Sequence, residues 1–182
     1  MSPVPVAAIQ TVPLYDENNI LYRVNTMDAD GVIVAVTEFY PDKNIQSSYE
    51  MKEGILEGEF VSFYPNGEVD EYGFYVRGQR DGRFTKNHPN GKLWMEQHYL
   101  NGKLHGRSTY FDEAGNMTLR MQFRHDVLHG LYESFYADGT REMSVQYKSG
   151  DSAEPFVRRV QRTQNILPQP LVAKVALGSR QD

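Results

Sequence analysis

The side chains in this sequence that could do chemistry are few. Five histidines are spread over 182 residues and there is no cysteine, which removes thiol nucleophiles, iron–sulfur ligation, zinc ribbons and a disulfide framework together. His105 and His129 stand 24 residues apart, each before a Gly, at a position that Glu57 and Asp81 occupy earlier in the chain. Stacked one above another, Asp81, His105 and His129 would form a ladder able to hold a transition metal, with His125 close by. No close-spaced ligand pair accompanies them. The plainer expectation is a turn position that takes any polar residue beside Gly, so neither metal nor cofactor is expected. His88 precedes Pro89-Asn90-Gly91 where Tyr64 and Tyr136 precede similar turns, and it reads as a substitute for an aromatic strand end, with no nucleophile motif to make it a base. Serines lie outside any Gly-x-Ser-x-Gly elbow, and Gly102-Lys103-Leu104-His105-Gly106 lacks the ending of a phosphate loop and opens no helix. The chain is expected not to be an enzyme.

The elements that would position these residues follow from a repeat. Gly54, Gly78 and Gly102 recur every 24 residues, Asp126 takes the fourth place and Gly150 closes the series. Gly58, Gly82, Gly106 and Gly130 follow them, then Gly67, Gly91, Gly115 and Gly139, and an aromatic ends each unit at Tyr75, Tyr99, Phe123 and Tyr147. A period of this length marks a stacked architecture of supersecondary units. Asn66-Gly67, Asn90-Gly91 and Asp138-Gly139 are the dipeptides of two-residue hairpin turns, with Ala114-Gly115 a weaker version. Gly-rich segments such as 101–106 supply the other turn. The fold class expected is therefore all-β, an elongated and curved meander of stacked antiparallel hairpins. Residues 54–150 form four units, 1–53 a degenerate cap that includes Tyr40-Pro41-Asp42 and Leu14-Tyr15-Asp16-Glu17-Asn18, and 151–182 a tail or capping segment. Pro168 and Pro170 interrupt the one place, after Pro155, where a short helix or further strand would fit.

Period-2 alternation assigns the faces of each second strand. Val69, Glu71, Gly73 and Tyr75 share one face with Leu93, Met95, Gln97 and Tyr99, with Met117, Leu119, Met121 and Phe123, and with Arg141, Met143, Val145 and Tyr147. This is the expected core. The opposite face is polar except at Tyr72, Phe74 and Trp94. Exposed aromatics beside charges are typical interface anchors, so Tyr72, Phe74 and Trp94, with Glu68, Asp70 and Glu96 near them, are the candidate partner-binding residues. The competing reading is that the N-terminal segment or residues 155–180 cover this face, which would make the three aromatics core.

Charge sets further bounds. A formal charge of -5 argues against direct nucleic-acid binding, which needs a clustered cationic excess. The acidity is concentrated in Glu50, Glu53, Glu57, Glu59, Glu68, Asp70 and Glu71, while Arg158, Arg159 and Arg162 make the C-terminal segment basic. An acidic surface suits a basic partner; equally, it is a solvated hairpin, or Arg158-Arg159 folds back onto it. The aromatic content is too high for disorder and no run of about 18 apolar residues would span a membrane. The opening MSPVPVAAIQ lacks a cationic start and contains Pro3 and Pro5, so with Met1 as the native start a cytoplasmic location is expected.

The text of the units, EGEFVSFYPNG, DGRFTKNHPNG, HGRSTYFDEAG and HGLYESFYADG, each followed by a strand such as KLWMEQHYLNG, resembles the bacterial variant of MORN repeats. Asp126 in place of Gly, Ser108 in place of an aromatic, and the residues after Gly150 depart from that pattern. The resemblance implies a sheet of stacked hairpins and a binding role. Bacterial proteins of this variant type include antitoxins and immunity proteins, which act by binding a toxin; others in the wider family scaffold proteins or contact lipids. The leading expectation is an immunity protein or antitoxin whose partner is a cognate toxin, basic or nuclease-like. The alternative is a scaffolding module that self-associates, for instance as a homodimer through sheet edges, or touches lipid headgroups, which the negative charge disfavours.

Overall fold

A computed structural model describes residues 9–153. Within them the chain makes β1 (Gln10–Tyr15), β2 (Leu21–Met27), β3 (Ile33–Phe39), β4 (Ile45–Lys52), β5 (Ile55–Phe63), β6 (Val69–Val76) and β7 (Gln79–Asn87). It continues through β8 (Leu93–Leu100), β9 (Lys103–Phe111), β10 (Met117–Arg124), β11 (Val127–Phe135), β12 (Arg141–Lys148) and β13 (Asp151–Ala153). All thirteen strands join one sheet in sequence order, each antiparallel to the next. At about 4.8 Å per strand the sheet is about 58 Å wide, which is the elongated meander expected. The expectations for residues 155–182, including the fold-back of Arg158-Arg159, fall outside the described residues.

The two kinds of turn divide the work differently from the sequence expectation. Asn66-Gly67 does not form a two-residue turn: Pro65, Asn66 and Gly67 make a three-residue loop in which Tyr64 N–H donates to Glu68 O and Gly67 N–H to Tyr64 O. Only Gly67 has positive φ, 87°. Asn66 is chosen for its side chain, whose Oδ1 accepts the Glu68 N–H at 3.1 Å, as Asn90 does for Lys92 and Asp138 for Thr140. The same loop hydrogen bonds recur at 16–20, 40–44, 88–92, 112–116 and 136–140, and once on the other edge, at 28–32. The two-residue turns lie at the other edge, at Glu53-Gly54, Arg77-Gly78, Asn101-Gly102, His125-Asp126 and Ser149-Gly150. Both residues of each have positive φ, the type I′ geometry that matches the twist of the flanking strands. The segment 101–106 is accordingly not one long turn, since β9 begins at Lys103 and Gly106 lies inside it.

Hydrogen bonds between successive turns enforce the 24-residue spacing. Gly78, Gly102, Asp126 and Gly150 each donate their N–H to the carbonyl 22 residues earlier, on Leu56, Arg80, Leu104 and Leu128, at 2.8–2.9 Å. On the opposite edge the Tyr40 and Tyr64 hydroxyls donate to Phe63 O and Asn87 O, at 2.8 and 2.7 Å. His88 stands in the next place, 3.0 Å from Phe111 O. A carbonyl only accepts, so His88 Nε2 carries the proton and repeats the tyrosine's bond. The imidazole thus serves as a structural substitute for an aromatic.

Registers run one row of side chains across the sheet: Asn25, Val36, Tyr49, Phe60, Gly73, Phe84, Gln97, Ser108, Met121, Tyr132 and Val145. Val36, Phe84 and Val145 are the buried hydrophobics, so this row marks the inner face and the core is one side chain thick. Its densest part is a run of rings, Tyr49, Phe60, Tyr75, Phe84 and Tyr99, with centroid separations of 6.3, 5.8, 5.4 and 5.3 Å. Each such pair adds about 0.5–1.5 kcal/mol beyond burial. The Arg80 guanidinium lies 4.8 Å from the Phe84 centroid and pairs with Glu71 at 2.6 Å. Ser108, where the repeat has an aromatic, ends the run; its hydroxyl is buried without a partner.

One part of the face assignment is corrected. A bulge near the start of β6, β8, β10 and β12 puts Val69 opposite Phe63, Leu93 opposite Asn87, Met117 opposite Phe111 and Arg141 opposite Phe135. One extra residue inverts the alternation. These four therefore join the outer face, and Asp70, Trp94, Thr118 and Glu142 become the unpaired residues of their bulges.

Candidate binding face

Tyr72, Phe74 and Val76 alternate along β6 on the outer face and are 40, 45 and 39% exposed. The N-terminal strands β1 to β4 continue the sheet and do not fold over this face, so among the described residues nothing covers it. Val61 and Glu59 of β5 stand directly opposite Tyr72 and Phe74. The Tyr72 hydroxyl donates to Glu59 at 3.0 Å, and this bond, with the carboxylate's charge, pushes the phenol up from its ordinary value. On the other flank Thr85 pairs with Tyr72 and Glu96 with Thr85, and Arg83 holds Glu96 at 2.7 Å. Tyr72, Phe74 and Glu96 are thus brought together on one surface.

Trp94, Asp70 and Glu68 are not part of it. As bulge residues Asp70 and Trp94 converge on Lys86, which faces Glu71 and Met95 on the inner side. The Lys86 amine is 3.6 Å from Asp70 and 5.6 Å from the Trp94 centroid, and the His88 ring lies 6.0 Å from Trp94. Glu68 belongs to an exposed loop at that same edge, its carboxylate against Gly91 of the next loop. The sequence reading missed Val76. Its place two residues beyond Phe74 was the available signal, since Tyr72, Phe74 and Val76 share a parity.

The acidic character of the region survives in part. Asp70 and Glu71 are neutralised by Lys86 and Arg80. Glu50, Glu53, Glu57, Glu59 and Glu68 form no ion pair among the described residues. Glu50 and Glu57 instead accept backbone N–H groups, from Glu59 at 3.0 Å and Arg77 at 2.5 Å.

The histidine ladder resolves into turn chemistry. Asp81 and His129 take the role of Glu57, accepting the N–H of Asn101 at 3.1 Å and of Ser149 at 3.4 Å. His105 instead stacks edge-on against His125, centroids 4.8 Å apart, and its Nδ1 is buried without a partner. No group of three or more His, Asp or Glu among the described residues is placed to hold a metal. An open groove of about 750 Å³ does lie here on the outer face, lined by Glu96, His98, His105, Arg107, Arg124 and His129 among others.

Three stretches of the chain, 56–77, 80–101 and 128–149, match the family model described as MORN repeat variant. These matches coincide with the hairpin units of the sheet. The stretch between the second and third holds Ser108 and Asp126, two of the departures from the repeat. No curated protein matches the chain. MORN repeats are in general a binding and scaffolding module.

Proposed function

We propose that this protein is a non-catalytic binding module that grips a protein partner through the outer face of β5 to β8, and that it is an immunity protein or antitoxin acting in the cytoplasm on a cognate toxin with a basic contact surface. The observation that carries the binding reading is the exposed run Tyr72, Phe74 and Val76 on a face with no described cover, bordered by Glu57 and Glu59 without ion pairs. Aromatic anchors ringed by charge give affinity at the centre and steering at the rim. The toxin as partner follows from the kind of protein the repeat text resembles, and the acid at the rim favours a basic contact surface.

Co-expression with the product of the neighbouring gene tests it. The neighbour is expected to be toxic alone, to be neutralised by this chain, and to bind it directly in calorimetry. Tyr72→Ala/Phe74→Ala is expected to weaken that binding at least 30-fold, the scale of two central anchors, while Trp94→Ala leaves it within about threefold. A harmless neighbour, or one that fails to bind, sinks the toxin assignment; unchanged affinity in the double variant sinks this face.

A scaffold that self-associates is the second reading, favoured by the outward edge of β1, which pairs with no described strand. Pro13 removes one donor from that strand. Light scattering across a concentration series separates the two readings.

A further inference from the structure

The groove beside the candidate face has the opposite electrostatic character from the face itself. Four of the five histidines gather there: His98, His105 and His129 line it, and His125 lies against His105. Arg107 and Arg124 line it as well, both exposed, and neither guanidinium has an ion-pair partner among the described residues. Glu96 is the one acid in the lining, and Arg83 already neutralises it at 2.7 Å. The Asp126 carboxylate, close by in the turn, accepts the Leu104 N–H at 2.8 Å.

We infer that this groove is a second binding site, independent of the partner proposed above, and that it takes an extended acidic peptide segment laid across the strands. The spacing of the donors selects that ligand. His98, Arg107, Arg124 and His129 come from β8, β9, β10 and β11, four consecutive strands, so the positive and hydrogen-bonding groups are spread over about 14 Å. A single small anion reaches one or two of them. An extended peptide with carboxylates on alternate residues places one about every 7 Å on one side, so three carboxylates span the row. Guanidinium forks donate to carboxylates bidentately, and the His129 ring, whose Nδ1 accepts the Ser149 N–H, keeps its Nε2–H as a directed donor beside them, while His98 Nδ1 is bonded to Arg107 O at 3.2 Å. The groove is an open channel of about 750 Å³ rather than a closed pocket, as a chain that enters and leaves requires.

The test uses the full chain and an eight-residue peptide alternating Glu and Thr, with a Gln/Thr peptide and inorganic phosphate as the other two probes, followed through the histidine ring resonances. The Glu/Thr peptide is expected to shift His98, His105 and His129 saturably, less at high salt, and to leave His88 unmoved, because His88 sits at the opposite edge bonded to Phe111. Arg107→Gln/Arg124→Gln, at two exposed positions, is expected to weaken binding at least tenfold with an unchanged circular dichroism spectrum; if that variant misfolds, Arg124→Gln alone is expected to weaken binding at least threefold. Equal shifts with the Gln/Thr peptide, shifts at His88 of the same size, or unchanged affinity in the folded arginine variant overturn the site. Saturation by phosphate at the same concentration overturns the peptide assignment. None of these outcomes depends on a toxin or on Tyr72 and Phe74, so this inference and the function proposed above fail separately.

Discussion

Alanine at Gly73 probes the thinnest point of the core. Phe84 is 1% exposed and its ring lies flat over Gly73, so a Cβ there would overlap the ring's Cδ1 and Cε1. Gly73 has no positive φ, so its backbone accepts alanine, which in a strand interior is worth about 0.5–1 kcal/mol over glycine. The collision works against this gain. A buried ring forced from its rotamer costs about 1–3 kcal/mol, and a larger share applies here because the ring is held by Tyr75, Tyr99 and the Arg80 guanidinium. Gly73→Ala alone is expected to destabilise by about 1–2 kcal/mol. Phe84→Ala alone removes the ring and costs about 3–5 kcal/mol. In that background the collision is gone, and adding Gly73→Ala is expected to be neutral or to stabilise by about 0.5–1 kcal/mol. The coupling is then about 2 kcal/mol, well outside the additivity expected of independent sites. Urea titrations of the four proteins followed by circular dichroism measure it. If Gly73→Ala costs the same with and without the Phe84 ring, the cost is in the backbone and the packing account is wrong.

Three further outcomes follow from the turns and the ion pairs. Arg77 has φ of 51° in a two-residue turn and an exposed side chain; Arg77→Asn, a residue that tolerates that region, is expected to stabilise by about 0.5 kcal/mol and raise the melting temperature by about 1–2 °C, and an unchanged or lower value refutes the strain. His88→Tyr is expected to preserve stability by restoring the bond that Tyr64 makes to its neighbour, whereas His88→Ala loses about 1 kcal/mol; equal losses in both would mean that the bond to Phe111 contributes nothing. Burial works against the Glu133 carboxylate, but hydrogen bonds from Arg120 and Arg141 outweigh it and hold the group below its ordinary value. A depressed acid stabilises the fold above its unfolded-state value near pH 4, and this is lost as pH falls through the depressed value. Glu133→Gln is expected to cost about 2 kcal/mol at pH 7, less than a fully buried pair because the arginines are 36% and 40% exposed, and to flatten the acid limb of the stability profile; an unchanged acid limb in the variant refutes this.

The spacing of Gly and aromatics was enough to read the hairpins, their sequential order and the shared face of Gly73, Gln97, Met121 and Val145, because each of those depends on local geometry repeated many times. Two things were hidden. The roles of Asn66-Gly67 and Arg77-Gly78 were exchanged, since both dipeptides satisfy a positive φ at Gly and only the hydrogen bonds of the loop distinguish one positive φ from two. The bulges at Asp70 and Trp94 were invisible because each is one extra residue between two that simple alternation puts on one face, Val69 and Glu71 or Leu93 and Met95, so nothing in the pattern marks where the parity inverts. Tyr72 and Phe74, beyond the bulge, lie on the face that alternation gave them; Trp94, inside it, does not.

The ladder of turn bonds, in which the four type I′ turns from Arg77-Gly78 onward each donate to a carbonyl 22 residues back, has a kinetic meaning. Every strand pairs only with the strands before and after it in sequence, so no loop longer than one unit has to close before the next contact rewards it. A chain leaving the ribosome can add each hairpin to a sheet already formed, and apart from the edge of β1 the open edge is the growing end, until the next unit covers it. Inserting or deleting a whole unit would then alter the length of the protein while leaving the assembly of the remaining hairpins unchanged, which is how such a sheet can vary its reach without relearning how to fold.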